Sequence, residues 1–354
     1  MKILTTCLGI LLIFSLTVGN VPASYREWES NYSKAETLMV DGRVCEALSL
    51  ARHSLNESLN RHGAETVNSV KSLELLSQLA QAMGKIPQAV RFQSLAYDLN
   101  KRLKGPENPK TISLLTRLAE LTIISGNSKA GEACYREALA MCQNGTRSDC
   151  ITTAAPMVGL AQFLASEGKL SEAENLYQCA ISRFCCFSKY NPALKLNMAE
   201  ALENLALISR SQGDYANAIN CLRKSQKIYQ SQENVPMEKL GQTLLVMGDT
   251  YAKLGKPERA LKFYKEALAA FETQDGSPVS LGLALKGVGD VFRGKGNLQM
   301  ASNCYKKAIT QFETVSFVGK PLFADTVNSL TEIYREMGKE SEAGLLQTKF
   351  IAMN

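Results

Sequence analysis

An all-α solenoid of about eight helix-turn-helix units is the fold class this sequence predicts. Three observations predict it: glycines recur at a near-constant interval, two slots in every interval hold small residues, and the apolar periodicity is helical on both sides of each glycine. The glycines are Gly42, Gly84, Gly126, Gly168, Gly213, Gly255, Gly296 and Gly338, and the intervals are 42, 42, 42, 45, 42, 41 and 42 residues. Self-similarity at a period of roughly 20–50 residues marks a repeat array, in which each unit buries its apolar face against its neighbours.

The slots around each glycine support the alignment. Five residues after it stand Ala47, Ala89, Gly131, Ala173, Ala218, Ala260, Ala301 and Ala343; seven residues before it stand Ala35, Ser77, Ala119, Ala161, Ala206, Gly248, Gly289 and Thr331. Small residues suit close helix crossings, where a longer side chain forces the backbones apart. The slot eight residues after the glycine is always apolar: Leu50, Phe92, Cys134, Leu176, Cys221, Phe263, Cys304 and Leu346. In the sixth unit Leu244, Met247 and Tyr251 mark one helical face, Gly255-Lys256-Pro257 breaks the helix, and Ala260, Tyr264, Ala267 and Leu268 resume on another. Glycine suits the left-handed end of a helix and proline the first turn of the next.

The run Leu244-x-x-Met247-Gly248-x-x-Tyr251, followed by Gly255, Ala260, Tyr264 and Ala267, resembles the tetratricopeptide repeat signature. The seventh unit matches it through Leu285, Val288, Gly289, Phe292, Gly296, Ala301, Tyr305 and Ala308. The resemblance covers roughly residues 25–354, with the first and last units degenerate. The 42-residue period departs from the common 34-residue repeat, and this long form resembles the repeats of kinesin light chains. About eight extra residues per unit are expected mostly in the second helix, as about two added turns. The resemblance implies one right-handed α-α superhelix over residues 24–354, with a concave face lined by first helices, where peptides or partner helices bind.

Residues 1–23 read as a targeting leader. Lys2 supplies a positive start, Ile3 to Val18 is largely apolar, and Val21-Pro22-Ala23 places small residues before a cleavage point at Ser24. The expected location is an exported compartment, periplasmic, extracellular or the secretory lumen; the alternative is an uncleaved anchor. No other segment has the length and apolarity of a membrane span. The net charge is +6, with basic residues interleaved with acids, so composition gives little support to nucleic-acid or membrane-surface binding. The two histidines, His53 and His62, and the lack of a phosphate loop, GxSxG, HExxH or Rossmann fingerprint point away from an enzyme, a metal site and a cofactor.

Candidate binding residues follow from the slots 13, 10, 6 and 3 residues before each glycine, which the resemblance turns toward the groove. They include Glu203 and Arg210 in unit five, Asp249 in unit six, Lys286, Asp290 and Arg293 in unit seven, and Asn328, Glu332 and Arg335 in unit eight. Unit four is nearly apolar there, with Val158 at its centre. In one reading these charges form a cradle for an amphipathic partner segment, with the arginines taking partner acids. In the other, Asp249, Asp290 and Glu332 neutralise the arginines across adjacent units, which contributes only about 0–1 kcal/mol per pair. Asn31, Asn56 and Asn144 fit the glycosylation sequon, which matters in a eukaryotic source. Cys134, Cys221 and Cys304 sit in the apolar slot as small core residues, whereas Cys142, Cys150, Cys179, Cys185 and Cys186 cluster where an exported chain permits pairing. Leu345, Leu346, Phe350 and Ile351 end the chain without a polar capping helix, so a second copy or a partner is expected to cover them, and self-assembly through that end is the alternative function.

Overall fold

Each repeat glycine supplies a backbone conformation that other residues avoid. In the computed structural model, which describes residues 23–62, 66–144, 153–188, 193–273, 277–314 and 320–353, all eight have φ between 67° and 92°. The amide after each glycine donates to the carbonyl five residues back, as from Lys256 to Tyr251 at 2.9 Å and from Asn297 to Phe292 at 2.9 Å, closing the helix with a Schellman turn. A Cβ at any of the eight would meet nothing within 4 Å. Backbone conformation alone therefore selects glycine there.

Among the described residues these turns join sixteen helices, with no strand. The helices are α1 (Ala23–Val40), α2 (Val44–His62), α3 (Val67–Ala82), α4 (Ile86–Lys104), α5 (Pro109–Ile124), α6 (Ser128–Asn144), α7 (Ala154–Ser166), α8 (Leu170–Phe187), α9 (Ala193–Ser211), α10 (Tyr215–Gln230), α11 (Met237–Lys253), α12 (Pro257–Phe271), α13 (Pro278–Gly294), α14 (Leu298–Glu313), α15 (Lys320–Glu336) and α16 (Glu340–Met353). First helices of the repeats span 13–19 residues and second helices 14–19, so the length beyond the common repeat is not concentrated in the second helix, as the sequence reading had it. Helices α5, α12 and α13 open with proline, which costs no hydrogen bond in a first turn.

The chain divides into two compact units, Met1–Phe163 and Leu164–Asn354, and the division falls inside α7. Where the sequence reading had one domain over 24–354, each contact unit is a run of the same helix pair. In the first unit α1 to α6 pack on one another in chain order, and in the second α8 to α16 do the same. The leader read at residues 1–23 lies outside the described residues except for Ala23. The three extra residues before unit five are expected as a longer loop near residues 185–192; Cys185, Cys186 and Phe187 belong to α8, and residues 189–192 lie outside the described residues. No described helix is long and apolar enough to cross a membrane.

Two slots trade volume along the chain. Fourteen residues before and sixteen after the glycines of units one to three and five to seven stand Trp28 and Ser58, Val70 and Asn100, Ile112 and Cys142, then Ala199 and Tyr229, Gly241 and Phe271, Gly282 and Phe312. As the first member shrinks, the second grows. Phe271 and Phe312 lie against the faces of Gly241 and Gly282, where a Cβ would collide with the ring. Where the second member is polar, it bonds to the next first helix: Asn100 donates to Thr111 Oγ1 at 2.8 Å, and Ser58 accepts from Ser69 Oγ at 3.0 Å. The seam in these six units is thus filled by different divisions of similar volume.

At the C-terminus, Leu346 and Phe350 pack on a core of Tyr305, Ile309, Val327 and Leu330. The Phe350 ring lies 5.6 Å from that of Phe323. Of the apolar set read as uncovered, Leu345 is the one shown exposed, at 71%; the side chain of Ile351 lies outside the described residues.

Adding a methyl at the seam overpacks it. Gly282→Ala is expected to destabilise the protein by about 1–3 kcal/mol, and Phe312→Leu in the same chain to recover part of that loss. Denaturant unfolding of the single and double variants checks it; additive losses would contradict the reciprocal packing.

Candidate functional site

Regular units bring equivalent slots of neighbouring first helices opposite one another. In the second compact unit these helices are α9, α11, α13 and α15, and α11 touches α13 directly. Arg210 on α9 stands 3.5 Å from Asp249 on α11, and Arg293 on α13 bonds Glu332 and Glu336 on α15 at 2.9 and 2.6 Å. Lys239 reaches back from α11 to Glu200 at 3.1 Å, and Lys286 spans Asp290 at 3.3 Å and Asp325 at 3.2 Å. Of the charged slots singled out in the sequence, Arg210, Asp249, Lys286, Asp290, Arg293 and Glu332 form a ladder of ion pairs whose rungs run mostly between units. The neutralising arrangement is the one this structure holds, with Asp290 taking Lys286 rather than an arginine.

Each central acid is also fixed by a tyrosine of its own unit. Tyr264 Oη donates to Asp249 Oδ1 at 2.8 Å, and Tyr305 Oη to Asp290 Oδ1 at 2.5 Å. Burial pushes the Asp249 carboxyl above its ordinary value, and the bonds from Tyr264 and Arg210 oppose that rise. Burial also works against the Lys286 ammonium, but Asp290 and Asp325 outweigh it and hold its pKa above the ordinary value. The tyrosines went unremarked in the sequence reading. The signal that finds them is an acid six residues before a repeat glycine together with a tyrosine nine after, as in Asp249/Tyr264 and Asp290/Tyr305.

Glu203 has a different place. It turns into the joint between units five and six, accepting from Ser225 Oγ at 3.3 Å and Tyr229 Oη at 3.4 Å, and from Thr243 Oγ1. Desolvation raises its pKa, and the three hydroxyls and Lys239 oppose the rise. With its oxygens engaged inside the joint, Glu203 ties units together rather than facing a partner.

A cavity of about 920 Å³ opens on this face. Its walls include Leu207 and Arg210 of α9, Asp249 and Ala252 of α11, and Asp290 and Val291 of α13, with the Tyr264 ring and Gly287 between. A Cβ at Gly287 would stand 2.6 Å from the Tyr264 ring, so glycine there lets ring and helix meet. Lys253 and Lys295 stand at its edge, the latter paired with Glu258 at 3.1 Å. This mix of apolar wall and fixed charge suits part of a polypeptide side chain or backbone.

The remaining candidates are scattered. Asn328 and Glu332 are exposed on α15, and Arg335 donates to Gln347 Oε1 at 3.3 Å. Val158, half-buried on α7, belongs to the other compact unit. Asn31 donates to Glu57 Oε2 at 3.3 Å, Asn56 is exposed, and the Asn144 side chain lies outside the described residues. Cys179, Cys185 and Cys186 are exposed free thiols on α8, and Cys150 lies outside the described residues. Burial pushes the Cys134, Cys221 and Cys304 thiols upward, as expected of small core residues.

Residues 197–273 match the family described as Tetratricopeptide repeat. Among solved structures, BtubC (BKLC) from P. vanneervenii is similar at 19% identity and a TM-score of 0.56, over 66% of this chain and 92% of that one. The apo form of RapI gives 14% and 0.57, over 80% and 97%. A tetratricopeptide repeat protein from Parabacteroides merdae gives 15% and 0.53, over 85% and 99%. At such identities the likeness is one of fold. No curated protein matches the chain.

The raised Glu203 carboxyl makes a signed prediction. The folded state keeps this proton at pH values where the unfolded chain, near the ordinary value of 4.5, has lost it. Its contribution is full below the unfolded value and is lost as pH rises through the folded one. Glu203→Gln is expected to flatten the dependence of unfolding free energy on pH from the ordinary carboxylate value of 4.5 upward. Urea titrations across that range check it; an unchanged slope would contradict the assignment.

Proposed function

We propose that this chain, a tetratricopeptide repeat protein, is an exported, non-enzymatic scaffold that holds a segment of a partner protein against the first-helix face of units five to eight. The observation that carries this reading is the ladder of fixed charges running beside an open, part-apolar cavity. Exposed ion pairs of this kind contribute only about 0–1 kcal/mol each. A partner's charged groups can therefore exchange into the ladder at small cost, while apolar groups enter the cavity and gain by leaving water. Export rests on the leader at residues 1–23. Self-association through the last repeat has one observation in its favour, the exposure of Leu345.

Affinity capture with the mature protein, compared with an Arg210→Gln, Arg293→Gln, Arg335→Gln variant, tests the scaffold. Glutamine removes the positive charge without placing like charges beside Asp249 and Glu332. A partner retained by the natural protein and lost from an equally helical variant is expected; recovery of only the chain itself, through Leu345, favours self-association. N-terminal sequencing of the cellular protein is expected to begin at Ser24, and a chain still beginning at Met1 contradicts cleavage.

A further inference from the structure

Among units five to eight the ladder follows one rule at two junctions and departs from it at the third. An arginine three residues before the glycine of one unit reaches the acid six residues before the glycine of the next. Arg210 meets Asp249 in this way, and Arg293 meets Glu332, both with a separation of 39 residues. Between units six and seven the acid is present, as Asp290, but the arginine slot holds Ala252. The cavity lies at this gap, with Ala252 on one wall and Asp290 on the other.

We propose that the missing rung is supplied by the partner: a basic side chain, arginine or lysine, enters over Ala252 and pairs with Asp290. This rests on the scaffold reading above and names what part of a partner the face selects. Asp290 is suited to the role. Its side chain is 50% exposed, and Tyr305 holds one of its oxygens in place. Its other oxygen has Lys286 as a partner, but that lysine is shared with Asp325. Each carboxylate oxygen accepts more than one bond, so a guanidinium finds free acceptor positions there. The other cations near the gap are engaged, Arg210 with Asp249 and Lys295 with Glu258, leaving Lys253 exposed at the edge. Leu207 and Val291 line the same space and suit the methylene stem of a long basic residue.

The test is selection of ten-residue peptides from a random library on the mature protein, followed by affinities on three variants. Selected peptides are expected to share an arginine or lysine. Their affinity should fall about tenfold or more with Asp290→Asn, which removes the acceptor charge, and with Ala252→Arg, which fills the rung from within. Ala252→Ser should leave it unchanged. Unfolding midpoints of the Ala252→Arg chain at or above that of the natural protein show that the loss is not one of folding. Peptides rich in acidic residues, or affinities indifferent to Ala252→Arg, overturn the inference while leaving the scaffold reading standing. With no peptide selected, titration of N-acetylarginine amide into isotope-labelled protein decides. Shifts at Ala252 and Asp290 that vanish in Asp290→Asn support the basic-residue site. Their absence overturns it, together with the claim that this face binds partner segments.

Discussion

The left-handed backbone at the eight repeat glycines is the constraint on which the other features rest. It ends each first helix abruptly and returns the chain within two or three residues, so the two helices of a unit must cross where they can approach closely. Alanine and glycine in the crossing slots permit that approach. Because every unit is closed by the same turn, equivalent residues of successive first helices fall opposite one another. The cross-unit ion pairs are a consequence of that regularity, as the shared separation of Arg210–Asp249 and Arg293–Glu332 illustrates.

Within this frame the stability of the chain and its surface chemistry are carried by different residues. Aromatic rings fill the glycine slots of their own unit in the later repeats, whereas Asn100 and Ser58 bond across to the next unit in the earlier ones. Glu203 shows how an acid at a surface-type slot is drawn into that structural role by three hydroxyl donors. The ladder residues are half-exposed and individually weak in their effect on stability, which leaves them free to be read by another molecule. Asp249 and Asp290 are held by tyrosines from beneath, so their charges stay in place whether or not a partner is present.

The repeat, its glycines and its small slots were legible in the sequence because they are local and periodic: the conformation at Gly255 and the crossing at Ala260 follow from residue type and spacing. The charged slots were legible as positions, but not as partners, since Asp290 proved to take Lys286 and Glu203 proved to face inward. Which neighbour a long side chain reaches depends on the rise and rotation between units, and no spacing along the chain encodes that. The exchange of volume between the Gly282 and Phe312 slots was readable in principle, but only with both slots compared across units. The fate of the last helix depended on the packing of Leu346 and Phe350 against unit seven, which pattern alone does not fix.

The central claim is that partner segments lie on the first-helix face of the later repeats, at the gap beside Ala252. Replacing Lys253, exposed at the edge of that cavity, by a photo-reactive residue in the full-length protein, expressed in its own host, tests this most directly. Lys262, on the exposed side of a second helix with its side chain 69% accessible, serves as the comparison position. The account predicts a covalent adduct to a partner protein from position 253 and none from position 262. Equal labelling from both positions, or labelling from 262 alone, would contradict it.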